Sequence, residues 1–428
     1  MKVPSVVLGV LVAAACGDQG VAVPDPPDPG DVGVMAADAE PLAPFDVLRD
    51  AGRGEHAAGA PAVRRALVAG ADRLAALQAD TIGDNARNGL VDSDPDDGGW
   101  DFIFPSTTMS HTATVSFPNL YGETALGAWA AVVGGRAGNR ALSVALDAGL
   151  GMQANPDVDS PPDFAFGVLL ADLADNPGFA EVARQHYDAK RAAFGGAAGL
   201  GGSIRDGRHN RKEDGLIPYD VGWLAVSAAA LDAAFPGAGY DADAHTYAQI
   251  VVDDITAAAP FFDLDDPDED SYVIGLAWAQ IAAARVGAGD LFRDVRARLI
   301  DQQHPNGSWP TSGAKPADDL QSTAIAVETM ALTDRTNRRA RQAMRRGVRF
   351  LLDEQAANGG WPDAAGNELP LVDAEIMLGL MLARTPEGSG EALGSVTRGG
   401  RDGLESGVAA RGVAPGTVGS GPYAAPLP

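Results

Sequence analysis

Residues 346–362 read RGVRFLLDEQAANGGWP, and the fold turns on them. Val348, Leu351 and Leu352 fall at helical spacing with no proline among them, so the first part reads as the end of a helix. Asn358, Gly359 and Gly360 stop that helix, because they accept the left-handed geometry that a helix end requires. Trp361 and Pro362 follow at once. The phrase occurs earlier as Gln303, Asn306, Gly307, Trp309 and Pro310, with the same steps from Gln to Gly and from Gln to Trp as between Gln355, Gly359 and Trp361. A looser copy consists of Leu77 and Gln78, an acidic insert, then Gly98, Gly99 and Trp100.

Outward from these copies, apolar runs with helical spacing alternate between two kinds. Runs at 62–78, 139–153, 179–194, 242–258, 291–303 and 338–355 are amphipathic and charged. Runs at 117–133, 162–173, 218–235, 271–286, 319–332 and 372–382 are almost wholly small or apolar. A helix apolar all round is buried on both sides, and an amphipathic one lies outside it. The strict outer–inner order over a period of about 50 residues predicts a repeat of helix hairpins. Six such hairpins closing on themselves give an all-α (α/α)6 toroid over residues 59–384.

Stretch 346–361 resembles the QW motif of the terpenoid cyclase and protein prenyltransferase superfamily, whose members have this barrel. The resemblance covers about residues 60 to 384 and is strongest in the last two repeats. It implies that Gln303, Gln355, Trp309 and Trp361 tie one outer helix to the start of the next inner one. It does not fix the chemistry, because the same barrel hosts cyclases, transferases, polysaccharide lyases and non-enzymes. The cyclases protonate their substrate with the central Asp of a D-x-D-D-T-A motif. The matching stretch is Asp319-Leu320-Gln321-Ser322-Thr323-Ala324, where the proton donor falls on Gln321, and an amide cannot protonate an alkene. The prenyltransferases hold zinc with Asp, Cys and His, and no cysteine lies in the folded part.

The ends of the chain have a different character. Lys2 precedes a short apolar run at 6–15 that is too short to span a bilayer. Ala13-Ala14-Ala15-Cys16-Gly17 resembles a bacterial lipoprotein signal, and Cys16 is the only cysteine of the 428 residues. The expectation is a signal peptide over 1–16, lipidation at Cys16 and a cell-envelope protein anchored to a membrane, with the outer membrane favoured. An ordinary signal peptide with a chance cysteine is the alternative. Residues 17–58 and 385–428, rich in Pro, Gly, Asp and Ala without periodicity, read as a disordered tether and a disordered tail. A formal net charge of -26 argues against nucleic acid as partner.

In this barrel the first turns of the inner helices share one mouth, and helix N-termini offer free amide donors. The expected lining includes Asn119 and Tyr121; Tyr219, Asp220 and Trp223; Asp319 and Gln321; Asp373 and Glu375. Each acid alone is most simply a cap. The third repeat adds a basic cluster of Arg205, Arg208, His209, Asn210, Arg211 and Lys212, read as a loop leading into an inner helix. Balance of nearby Asp206, Glu213 and Asp214 explains it as well as an anionic ligand does. The functional expectation is an acidic polysaccharide held by Arg205 and Arg211, bound or cleaved by β-elimination, with Tyr219, His111 and His209 as acid or base. A terpenoid-type enzyme and a non-catalytic docking scaffold are the alternatives. No cofactor is expected to be required. Asp92, Asp94 and Asp96 alternate as in a calcium loop, against the simpler reading of a solvated turn.

Overall fold

The computed structural model describes residues 61–82, 177–334 and 337–384. Ten helices lie in these residues: α1 (Pro61–Ile82), α2 (Pro177–Ala193), α3 (Ala197–Arg211), α4 (Leu216–Ala234), α5 (Tyr240–Ile255), α6 (Tyr272–Val286), α7 (Gly289–Asp301), α8 (Leu320–Thr333), α9 (Arg338–Asp353) and α10 (Pro370–Arg384). Between α7 and α8 runs a hairpin, β1 (Trp309–Ser312) and β2 (Lys315–Asp319). It is antiparallel, with Trp309 opposite Asp319 and Ser312 opposite Lys315.

Composition decides which layer each helix joins. In α4, α6 and α8 nearly every turn buries residues on all sides, down to Ala228, Ala277 and Ala326 with no exposure. Helix α9 buries Ala340, Ala343, Gly347, Phe350 and Leu351 on one stripe and exposes charge on the other. The inner helices pack in succession, α4 on α6, α6 on α8 and α8 on α10, and the outer helices α5, α7 and α9 cover them. The protein is therefore an (α/α) toroid of outer and inner helix hairpins, with four of the six expected inner helices among the described residues. The expected helices at 117–133, 139–153 and 162–173 lie outside them.

The repeated phrase explains how the hairpins are joined. Gln303 Nε2 donates to the carbonyls of Gly307 and Ala343, both at 2.9 Å. Gln355 Nε2 donates in the same way to Gly359, at 2.8 Å, and Ala66, at 2.9 Å. Trp309 Nε1 donates to Leu299 and Trp361 Nε1 to Leu351, each at 2.7 Å. Both indoles are buried and rest on a glycine of the following outer helix, Trp309 on Gly347 and Trp361 on Gly70. Gly307 and Gly359 have φ of 101° and 97° and lie against the backbones of Arg346 and Ala69, so any side chain there would meet both strain and a clash. Ala343 and Gly347 thus receive the first copy, and Ala66 and Gly70 receive the second. The second acceptor is α1, at the other end of the fold. One and the same set of bonds links consecutive repeats and closes the circle. Arg73 adds a two-pronged pair with Glu368, Nε to Oε1 at 2.8 Å and the terminal nitrogen to Oε2 at 2.5 Å.

Two elements depart from the sequence reading. The basic cluster is not a loop: Arg205, Arg208, His209, Asn210 and Arg211 belong to helix α3, which is inserted between outer α2 and inner α4. Lys212, with φ of 61°, is its left-handed cap. The β1–β2 hairpin was also not expected. Its residues follow a helix-stopping phrase and contain Pro310 and Pro316, which fit strands that have a free edge.

Candidate active site

Tyr219 and Asp220 are neighbours on α4, so their side chains leave the helix about 100° apart. That turn separates residues that the sequence reading grouped. Asp220, 2% exposed, faces α3 and accepts from Arg208 Nε on Oδ2. Arg208 also donates to Glu213 at 2.5 Å. Burial pushes the Asp220 carboxyl up to about 6, against the pull of the Arg208 guanidinium. A cavity of about 290 Å³ opens beside this pair, with Phe194 and Ile204 as its apolar wall and Arg211 on its lining.

The basic side chains of α3 lie against acids, Glu213 serving both Arg208 and Arg211. Arg205 pairs with Asp206 at 2.8 Å and lies over the Phe261 ring, 5.4 Å from its centroid. His209 Nδ1 is 2.8 Å from Asp214, and its imidazole stacks on Phe261 at 3.8 Å. Arg211 is 3.2 Å from Glu213. Among the described residues, every arginine of α3 lies against an acid.

Tyr219 turns to the other side, toward α10. Its hydroxyl donates to Glu375 Oε1 at 3.2 Å, and Gln321 Nε2 donates to Glu375 Oε2 at 2.9 Å. Both oxygens of Glu375 therefore accept a hydrogen bond. The phenol stands edge-on to Trp223 and Trp278, at 6.3 and 5.5 Å between centroids, and the two indoles meet at 4.7 Å. Seven residues beyond Gln321, on the same face of α8, is Glu328. It is 3% exposed. Burial first, and then the charge of Glu375, push its carboxyl up to about 8, so it holds its proton at neutral pH. Its Oε1 has no hydrogen-bond partner among the described residues, and neither does Trp278 Nε1. Burial and Glu375 also push the Tyr219 phenol well above its ordinary value.

Glu328 and Glu375 thus lie on packed inner helices, and the charge of Glu375 adds to burial in raising Glu328. Tyr219, Trp278, Gln321 and Glu328, and Glu375 come from inner helices α4, α6, α8 and α10 in turn. Glu328 was missed by a reading confined to first turns. The signal was present, since Glu328 is the one ionisable residue of α8.

The remaining mouth acids have local duties. Asp319 caps α8, accepting from the Ser322 amide at 2.7 Å. Asp373 accepts from the Trp361 amide at 2.9 Å, and burial together with the neighbouring Glu368 raises its carboxyl well above the usual range. His111, Asn119, Tyr121, Asp92, Asp94, Asp96 and Cys16 lie outside the described residues. Among the described residues no group of three or more His, Cys, Asp or Glu is placed to hold a metal ion, and no helix is long and apolar enough to cross a membrane.

No protein-family model matches the chain, and no curated protein matches it. Solved structures similar to it include a type II terpene cyclase from Scytonema in complex with geranylgeranyl dihydroxybenzoate, at 14% identity and a TM-score of 0.45 over 74% of this chain and 98% of that one. A possible member of the GH105 family from Salmonella enterica is similar at 12% identity and a TM-score of 0.47, over 73% and 93% of the two chains. A protein from Actinoplanes is similar at 15% and 0.42, over 75% and 99%. The helix order and the bonds between repeats define the fold independently of these likenesses.

Proposed function

We propose that the toroid centre binds a neutral glycan and that Glu328 donates a proton to it. The observation that carries this reading is the buried Glu328 carboxyl, which has one oxygen without a partner among the described residues and is raised by burial and by the charge of Glu375. An orphaned buried oxygen costs free energy unless something polar completes it. In the proposed reaction Glu328 protonates the glycosidic oxygen as the bond to the sugar breaks. Glu375 steadies the positive charge on the sugar or takes a proton from the entering water. Tyr219, Trp223 and Trp278 supply the aromatic faces on which sugar rings rest. The acidic centre and the matched charges of α3 favour an uncharged ligand over an acidic one. Tyr219 is a poor base for β-elimination, because its phenol is raised and already spent on Glu375. The membrane anchor at Cys16 remains part of the proposal and puts such a glycan in the cell envelope.

Thermal shift and reducing-end release on a panel of neutral oligosaccharides test the reading. A ligand should raise the melting temperature of the parent, and Glu328→Gln should lower turnover by about 10²–10⁴ while still binding. A panel in which only acidic polysaccharides bind would overturn it. The same aromatic wall also suits a hydrocarbon chain, so the terpenoid alternative is kept. Stabilisation by a prenyl chain and by no sugar would favour it.

A further inference from the structure

Helix α9 carries six arginines in 16 residues, in a chain whose formal net charge is -26. Arg338, Arg345 and Arg349 lie with Gln342 on a single stripe of its exposed face, at steps of four, three and four residues. Arg341 flanks the stripe on one side, and Arg339 and Arg346 on the other. Arg339 reaches Asp301 at 3.4 Å, with both side chains about two-thirds exposed, and Arg346 is tied to Gln303 at 3.0 Å. Arg338, Arg345 and Arg349 have no ion pair or hydrogen bond among the described residues. Acids come only at the far end, as Asp353 and Glu354. On other helices exposed arginines do meet acids, as Arg184 meets Glu181 and Arg293 meets Asp290.

The arrangement works against the helix. Like charges four apart repel, and two arginines in the first turn oppose the dipole, which prefers acids there. Nothing in the packing requires arginine at these exposed positions, because the buried stripe of Ala340, Ala343, Gly347 and Phe350 lies on the opposite face. On the neighbouring outer helix, Arg64 and Arg65 are exposed as well.

We propose that this face of α9 docks the toroid on an anionic lipid bilayer. Guanidinium forks match phosphate oxygens in pairs. The helix is about 24 Å long, so the stripe can touch several headgroups at once. The overall negative charge does not prevent this. The Debye length is about 8 Å at physiological salt, so acids across the toroid are screened while the stripe at contact is not. Each arginine near such a surface contributes about 1 kcal/mol. The proposal is independent of the reading of the toroid centre.

The test uses the full chain with Cys16→Ser, so that no acyl anchor contributes, and sedimentation with phosphatidylcholine vesicles with or without about one-third phosphatidylglycerol. Binding is expected only to the anionic vesicles and should fall as salt rises. Arg338→Gln, Arg345→Gln and Arg349→Gln together should weaken it by about 100-fold or more, with an unchanged melting temperature. Lys190→Gln, Arg293→Gln and Lys315→Gln, an equal change of charge elsewhere, should leave it intact. Equal binding to both vesicles, parental binding by the α9 triple variant, or capture by heparin or duplex DNA with none by vesicles would each overturn the proposal.

Discussion

Asp220 and Glu328 are both carboxyls buried on inner helices, and the protein treats them in opposite ways. Asp220 meets a guanidinium, accepts its hydrogen bond and rises only to about 6. Glu328 has no cation beside it among the described residues, and burial and then the charge of Glu375 raise it to about 8. Burial alone raises both; the partner decides the rest. At neutral pH the first is a structural ion pair and the second a stored proton. A buried charge left without a partner is costly, and a buried acid that stays neutral is much less so. Hence Asp220 is bound to its arginine, whereas Glu328 keeps its proton.

The sharpest test is the pH dependence of stability. The Glu328 carboxyl is raised in the folded state, so the stability tied to its proton is fully present below the ordinary carboxyl range. Between about pH 4.5 and 8 the unfolded chain releases that proton and the native one keeps it, so stability falls as pH rises, and the loss is complete above about 8. The total is on the order of 5 kcal/mol. Glu328→Gln should make this slope shallower, leaving the shares of Asp220 and Glu269, and should make the protein more stable than the parent at high pH. Denaturant melts at a series of pH values check it. A parental slope in the variant would mean that Glu328 is ionised in the native state.

Arg208→Ala should do the opposite. It leaves Asp220 buried without its cation and should cost about 3 to 5 kcal/mol at neutral pH. Without the guanidinium the Asp220 carboxyl rises above its parental value of about 6, so it takes up a proton as pH falls and the cost should shrink. Combining Arg208→Ala with Asp220→Asn should recover much of the loss, since the double variant buries no charge. If the two substitutions merely add, Arg208 and Asp220 are not the pair that the geometry describes.

The sequence carried the layers but not the directions. Residues 218–235 and 271–286 are apolar all round, and the burial of α4 and α6 follows from that. The spacing of Gln355, Gly359 and Trp361 against Gln303, Gly307 and Trp309 carried the joints, because each bond repeats at the same step. What it could not carry was which way Tyr219 and Asp220 point, since one residue of helix phase separates a phenol on the acid pair from a carboxyl on α3. Helix α3 was also hidden. Gly199, Gly201, Gly202 and Gly207 weaken a helical reading, but Gly201 is where Tyr247 and Ile250 press in and a side chain has no room. The acid pair was hidden for a third reason. It joins a first-turn residue, Glu375, to a mid-helix residue, Glu328, and only the packing of α8 against α10 relates the two.

The smallest expected effect probes the link between Glu328 and Glu375. Tyr219→Phe keeps the edge-on aromatic contacts with Trp223 and Trp278 and removes one of the two donors that hold Glu375 as an anion. The lost hydrogen bond to a charged acceptor should cost about 1 to 3 kcal/mol, toward the low end because Gln321 still holds the other oxygen. With less support for its charge, Glu375 should take up a proton more readily. Its repulsion of Glu328 then weakens, and the midpoint at which Glu328 loses its proton should move down. The pH–stability curve of Tyr219→Phe should therefore be displaced relative to the parent rather than flattened as in Glu328→Gln. Gln321→Leu, which removes the other donor, should displace it in the same direction. A curve that merely drops at every pH, with its midpoint in place, would make Tyr219 a packing residue and leave the elevation of Glu328 to burial alone.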